Sequence, residues 1–438
     1  MTARRLAAIV AVLALASACA AGDLLTYVQQ PDPSFKWEKV SKTDSPVGAG
    51  YVLKMTSQTW QAIPWVHEIE IVMPSKCDYP ETAILIVTGG HPSQKSAQIG
   101  AAFAAASGCP VAAVYGIPNQ PLFGGKSEDA LIAHTFVRAM ETGDDTWPLL
   151  LPMTKAVVRA MDVIQAFSKS EFGKQITGFV VSGASKRGWT TWLTAAADRN
   201  RVKGIMPIVY DNLNLAAQMP HQIAFWGKYS DQIGDYTELG IQDTLATERG
   251  KRLAAIVDPW AYRDRITLPK LIINGTNDAY WTLDALNLYW DDLKGPKLVL
   301  YVPNAGHNVN GGVAGGIKLL STATSFARAI ASGARLPEFT WKHTTGKTAC
   351  RLDIATDCQN ATAVMWTTKS DGLDFSRSRW ESTPMTASAK GFTATLAPPA
   401  GGYAAFFGEV TVPLGDRRCA FSTQLAIIGP EGSLPRGK

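Results

Sequence analysis

Charge, histidine and cysteine are all scarce in this chain, and each shortage narrows what it can do. Charged residues make up 18% of the 438 residues, the formal net charge is +5, and no dense run of lysine and arginine occurs. Removing Arg4 and Arg5 with the leader described below leaves about +3. That balance argues against nucleic acid as a partner. There are only six histidines and six cysteines. His67 and His91 have no companions at metal-ligand spacing, so neither a metal nor another cofactor is expected. Internal repeats, low-complexity segments and later membrane-length apolar runs are also missing. What remains is a globular composition, 46% hydrophobic, in a chain long enough for two domains.

The chain opens "MTARRLAAIVAVLALASACAAGD", two arginines, an apolar run from Leu6 to Ala16, then small residues. This is the pattern of a secretory signal peptide over residues 1–18. "ASAC" also resembles a lipobox, which offers Cys19 as a lipid anchor beside plain release. The expected location is outside the cytoplasm: periplasmic, secreted, or held at the outer membrane by lipid. Export makes disulfides chemically accessible. Cys77 with Cys109 is one candidate pair, and two of Cys350, Cys358 and Cys419 another, without a unique connectivity.

Several short runs are continuously apolar: "TAILIVTGG", "PVAAVYG", "GFVVSG", "GIMPIVYD", "LIING" and "KLVLYVPN". Such runs suit strands covered on both faces of a parallel sheet. "WVHEIEIVM", Trp65 to Met73, alternates as an edge or antiparallel strand does. Helical periods fall at Lys155–Phe172, Gly188–Ala197, Trp281–Leu293 and Ile317–Ile330. Strands alternating with helices predict an α/β fold with a mostly parallel sheet over residues 23–336. The long connection at about 212–268 carries Trp226, Tyr229, Tyr236, Trp260 and Tyr262 between two strands and reads as a helical lid insertion. After Pro337 helical periodicity gives way to short β runs, which predict a sandwich-like module of six or seven strands over 337–430.

One stretch points to chemistry. "VVSGASKRGWTTW" puts Ser185 between an apolar strand and a helix, with Gly183 two residues before it. In an α/β hydrolase the nucleophile occupies such a turn, flanked by small residues. The usual pattern G-x-S-x-G is altered, because Arg187 stands at the second glycine and Gly188 follows one step later. A serine needs a base, and the chain order expected is Ser, then acid, then His. His307 follows the apolar run ending in Val302, and Asp278 follows "LIING". Asp211, at the end of "GIMPIVYD", is the alternative acid, while Asp284 lies too far along. An oxyanion hole would use the backbone N–H of Lys186 and of the Gly89–His91 loop, chiefly Gly90 and His91. Lys186 and Arg187 are expected to pair with Glu128 or Asp129, with Arg187 retained as a pocket candidate. Trp281 is the better pocket-lining residue, whereas Trp189 and Trp192, at helical spacing, are assigned to the core.

The chain also resembles the PhoPQ-activated pathogenicity-related protein family. The resemblance rests on "TSQTW" followed by Trp65 and His67, "PNQPLFGGKSEDALIAHTF", "WPLLLPMTKAVVRAMDVIQ", "GASKRGWTTWLTAAADRNRVKGIMPIVYDNLN", "DPWAYRDR", "INGTNDAYWTLDA" and "YVPNAGH". It covers about residues 25 to 428. It implies an α/β hydrolase with its triad on Ser185, Asp278 and His307, exported, and linked to envelope stress or virulence regulation in bacteria. It supplies no substrate. The turn is also similar to the G-x-S-R-x-G turn of glucuronoyl esterases, which act on acidic sugar esters.

The expected function is a serine hydrolase acting through an acyl-enzyme on a small-molecule, peptide or carbohydrate ester or amide. Two alternatives stay open: a serine peptidase with the same triad, and a non-catalytic envelope protein that binds a partner or polysaccharide. Oligomeric state is not legible.

Overall fold

The computed structural model describes residues 23–433; the leader read over residues 1–18 and the anchor candidate Cys19 lie outside them. After a short helix, α1 (Leu24–Gln29), strands β1 (Lys36–Ser45), β2 (Gly48–Trp60) and β3 (Ile63–Pro74) form an antiparallel meander. Six shorter strands follow: β4 (Thr82–Val87), β5 (Val111–Val114), β6 (Gly178–Ala184), β7 (Val202–Ile208), β8 (Lys270–Gly275) and β9 (Lys297–Val302). They lie in the order β1-β2-β3-β5-β4-β6-β7-β8-β9, with β5 through β9 mutually parallel. This is the sheet of an α/β hydrolase, lengthened by β1 at one edge.

Helices cover both faces, which is why the central strands are continuously apolar. Successive residues go to opposite sides: Leu85, Val181 and Ile272 to one core, Ile84, Val180 and Leu271 to the other. The first core holds α3 (Glu128–Thr142), α4 (Leu150–Phe172) and α5 (Lys186–Ala197). The second takes α2 (Gln94–Ser107) and α10 (Gly312–Ser332). Between β7 and β8 the chain forms α6 (Leu215–Trp226), α7 (Gly234–Thr237), α8 (Ile241–Thr244) and α9 (Glu248–Val257). At Gly188 the helix α5 approaches the end of β7 so closely that a Cβ would lie 2.9 Å from the Ile208 carbonyl oxygen and 3.0 Å from Tyr210 Cβ.

The C-terminal strands do not form a detached body. They are β10 (Phe339–Thr344), β11 (Cys350–Thr356), β12 (Thr362–Ser370), β13 (Glu381–Pro384), β14 (Thr386–Ser388), β15 (Gly391–Leu396), β16 (Tyr403–Leu414), β17 (Arg417–Ser422), β18 (Ala426–Gly429) and β19 (Gly432–Ser433). The expected six or seven strands become ten because several are only two to four residues long. Strand β17 pairs with β9 through Ser422 and Val299, so β17-β16-β12-β13 extends the main sheet. A second sheet, β10-β11-β15-β14, packs over it, with Leu352 and Ile354 against Phe406 and Phe421. The contact is tight enough that a Cβ on Gly408 would meet Ile354 Cδ1 at 2.5 Å.

Two expectations, a helix and the disulfides, need correction. The helix expected over Trp281–Leu293 is two 3-10 turns, Ala285–Leu288 and Trp290–Asp292. Its side chains are claimed from different directions: Asn287 bonds Leu425 and Gln424, and Tyr289 donates to Asp211. No single face is left for a regular helix to bury. The alternating stretch Trp65–Met73 is antiparallel, the second of its two expected forms, with partners β2 and β5 on its two sides. Neither disulfide pairing is formed: Cys77, Cys109, Cys350, Cys358 and Cys419 are all free thiols. Burial pushes the Cys109 thiol up to about 12, so it rests protonated and unreactive.

Gly188→Ala is expected to cost about 1–3 kcal/mol, because the methyl is forced into the β7 backbone. Gly316 in α10 is exposed, and a Cβ there would meet nothing within 4 Å. Gly316→Ala is therefore expected to add about 0.5–1 kcal/mol through helix propensity. Urea denaturation of the two variants beside the parent checks both signs.

Candidate active site

The turn between β6 and α5 carries Ser185 at φ 57°, ψ −123°. A non-glycine residue there is strained, on the order of 1–3 kcal/mol, and needs to be held by its surroundings. The Ser185 N–H donates to the Ile208 carbonyl at 2.8 Å, and its carbonyl accepts the Trp189 N–H at 3.0 Å. Gly183 is required by close approach, since a Cβ there would lie 2.6 Å from the Arg187 carbonyl oxygen. The second small residue has moved one step, to Gly188, because that is where α5 meets β7.

The displaced position is filled by Arg187, which runs beneath the neighbouring loops. Its Nε donates to the Ile117 carbonyl at 2.5 Å, and its two terminal nitrogens donate to the two carboxylate oxygens of Glu128 at 2.6 and 2.7 Å. Gly89 lies directly over the guanidinium, where a Cβ would fall 1.7 Å from a terminal nitrogen. Burial works to raise the Glu128 carboxyl, but the hydrogen bonds and charge of Arg187 outweigh it and hold the pKa at about 2. Lys186 Nζ pairs with Asp129 at 2.7 Å, and Asp129 also accepts the Tyr236 hydroxyl at 2.9 Å. Arg187, a pocket candidate from sequence, is instead a buried strut that lines no cavity beside Ser185. The Gly89–His91 loop is fastened nearby, with the Thr88 and Gly90 carbonyls accepting the Ile117 and Gly116 N–H groups. Gly90 and His91 are exposed, and Gly90 has open space around its α-carbon.

His307 and Asp278 come to Ser185 from loops after β9 and β8. His307 Nε2 lies 2.8 Å from Ser185 Oγ, and His307 Nδ1 lies 2.8 Å from Asp278 Oδ2. The other Asp278 oxygen accepts the Tyr280 N–H at 3.0 Å. The Tyr280 ring stacks on the imidazole, with centroids 3.9 Å apart. Asp211 does not reach His307. It is buried in a separate contact, accepting the Tyr289 hydroxyl at 2.5 Å. Burial, with the nearby charges of Asp278 and Asp284, outweighs that hydrogen bond and pushes the Asp211 carboxyl up to about 7. His67 is enclosed, its ring nitrogens against the Ser57 hydroxyl at 3.0 Å and the Tyr115 carbonyl at 3.1 Å, and burial lowers it to about 4.

Two asparagines with no local sequence sign brace the loops that carry Asp278 and His307. Asn277 Nδ2 faces the carbonyls of Phe375, Ser376 and Ser378 at 3.3, 3.1 and 2.6 Å. Asn304 exchanges two hydrogen bonds with the Trp380 backbone, at 3.0 and 2.8 Å. The C-terminal segment 375–380 thus grips one residue adjacent to Asp278 and one three before His307.

Ser185 and Lys186 border a cavity whose free space, mouth included, is about 690 Å³. Its walls come from α3, α5 and the residues after β8, and α6, α8 and α9 roof it. Tyr210 stacks on Trp189 at 4.9 Å, and Trp281 meets Tyr210 edge-on at 6.1 Å. Trp281 lines the cavity. Trp189 and Trp192 both lie in the core, as assigned, and Trp189 also forms a cavity wall.

A profile of the PhoPQ-activated pathogenicity-related protein family matches residues 24–376. Autocrine proliferation repressor protein A of Dictyostelium discoideum is 34% identical over 350 residues, 76% of this chain and 70% of that protein. Among solved structures, acetyl xylan esterase 1 from Thermoanaerobacterium sp. JW/SL YS485 has a TM-score of 0.48 at 15% identity, covering 70% of this chain and 91% of that one. Acylaminoacyl peptidase from Pyrococcus horikoshii has a TM-score of 0.39 at 14% identity, covering 68% and 42%. Neither structural likeness bears on substrate.

The burial of Asp211 has a pH signature. With its folded pKa raised to about 7, it keeps a proton that the unfolded chain has already lost, so its contribution to stability falls as pH rises from about 4 to 7. Asp211→Asn removes that decline. The variant is expected to gain on the parent by on the order of 2–4 kcal/mol at pH 8 relative to pH 4, read from urea midpoints across the range.

Proposed function

The chain belongs to the PhoPQ-activated pathogenicity-related protein family, and we propose that it is an exported serine hydrolase that cleaves an ester or amide through Ser185, His307 and Asp278. The observation that carries this reading is the unbroken hydrogen-bonded line from Ser185 Oγ through the imidazole to Asp278, with both contacts at 2.8 Å. Ser185 Oγ attacks the substrate carbonyl while His307 Nε2 takes its proton. Asp278 holds the imidazole with Nδ1–H toward itself and stabilises the imidazolium. The Lys186 N–H, unpaired within the first turn of α5, and N–H groups of the Gly90–His91 loop receive the developing oxyanion. His307 returns the proton to the leaving group. Water, deprotonated by the same nitrogen, then attacks the acyl-enzyme and frees Ser185.

An ester is favoured over a peptide. Oligopeptidases of this fold carry a large gating domain, whereas here, among the described residues, the short helices α6–α9 roof the cavity and the C-terminal strands extend and cover the sheet. Export rests on the leader pattern of residues 1–18, with lipid on Cys19 as its anchored form. A role in PhoPQ-linked envelope stress or virulence rests on the family.

Fluorophosphonate labelling of the purified protein, with the modified peptide mapped by mass spectrometry, is expected to place the label on Ser185. Ser185→Ala and His307→Ala should abolish it, and Asp278→Asn should slow ester turnover by about 10³–10⁴-fold. A folded protein that takes no label would overturn the reading. Asn277→Ala and Asn304→Ala are expected to lower kcat by about tenfold with less change in KM, because they loosen loop geometry and not substrate contacts. Equal kcat to the parent would remove any bracing role.

A further inference from the structure

The cavity beside Ser185 says what the substrate must carry. We propose that the reacting ester bears an apolar arylalkanoyl acyl group, whose ring enters this cavity. This rests on the serine hydrolase reading above.

Three observations lead there. First, the walls include Phe136, Trp189, Tyr210, Tyr236, Tyr280 and Trp281, and the roof adds leucine, isoleucine, methionine and valine. Ring walls favour an aromatic guest through stacked and edge contacts beyond simple area burial. Second, the charged side chains on the lining, Lys186 and Asp129, neutralise one another at 2.7 Å, and Asp129 is further occupied by the Tyr236 hydroxyl. No free charge is offered to an acidic sugar or a carboxylate. Third, Ser185 and Lys186 border the cavity but His307 does not. The leaving group must depart beside His307, which gives it a proton, so the group on the far side of the carbonyl is the acyl group.

The test compares p-nitrophenyl acetate, octanoate and 3-phenylpropanoate. Each methylene withdrawn from water is worth about a fourfold gain, so kcat/KM for the phenylpropanoate should exceed that for the acetate by at least ~30-fold, and should also exceed the octanoate. An acetate preference would overturn the proposal, and an octanoate preference would overturn its aromatic part. Ala254, partly exposed on α9, lines the roof. Ala254→Phe should cut the ratio of phenylpropanoate to acetate kcat/KM at least tenfold, and labelling by a small fluorophosphonate should persist. Label without that selective loss sinks the acyl pocket and spares the serine mechanism. Absence of label in the parent sinks the mechanism. Binding of neutral 3-phenylpropanamide, followed by tryptophan fluorescence, then still decides the cavity: saturable binding weakened by Ala254→Phe supports it, and no binding overturns it.

Discussion

Beneath the nucleophile turn, the Arg187 guanidinium meets the Glu128 carboxylate in a two-point ion pair, and three loops take their positions from it. The pair joins the start of α5 to the start of α3. The same side chain holds the Ile117 carbonyl and supports Gly89 from below. Removing the Glu128 charge would leave the buried guanidinium of Arg187 without its partner, which costs more than the pair gains over apolar packing, whereas the Glu128 side chain itself stays partly exposed. Glu128 is itself bound to this geometry. Its backbone has φ 53°, and Gln120 clasps both its N–H and its carboxylate. Strain at Ser185 and strain at Glu128 are thus sustained by a single contact network, which explains why an arginine occupies a position where other hydrolases have glycine.

Asp278 and His307 are held differently. Their loops are joined to each other by Thr276 and Asn304, then fastened from outside by the segment between β12 and β13. The C-terminal strands therefore do two things at once. They continue the sheet past β9, and they deliver backbone carbonyls to the rim of the site. A carbonyl held in a loop between sheet strands is a rigid acceptor, and an asparagine amide reads it with directional bonds.

The central strands were legible because burial on both faces leaves a continuous apolar run, a signal that needs no knowledge of partners. Ser185, Asp278 and His307 were legible for a related reason: each follows such a run, in chain order, at the carboxyl end of a strand. The helices α2 and α3 escaped notice, α2 because alanine and glycine give it little amphipathic contrast. The Trp281–Leu293 stretch shows the opposite failure, where periodic apolar spacing was present but long-range partners claimed each side chain separately. Asn277 and Asn304 carried no local sign at all. Their partners lie 101 and 76 residues onward, and only the three-dimensional arrangement makes them more than ordinary loop residues. Trp189 is in the core as its helical spacing indicated, and its second role as a cavity wall leaves no mark on that spacing.

The grip of segment 375–380 on Asn277 and Asn304 has a consequence in time. A ribosome delivers Ser185, Asp278 and His307 before it delivers the carbonyls that brace two of them. Strand β12, which leads into that segment, must wait longer still, because its neighbour β16 is made later. The turn at Ser185 can fold early, but Asp278 and His307 are secured only near the end of synthesis. A polypeptide interrupted before its last strands would hold all three residues without the frame that aligns them.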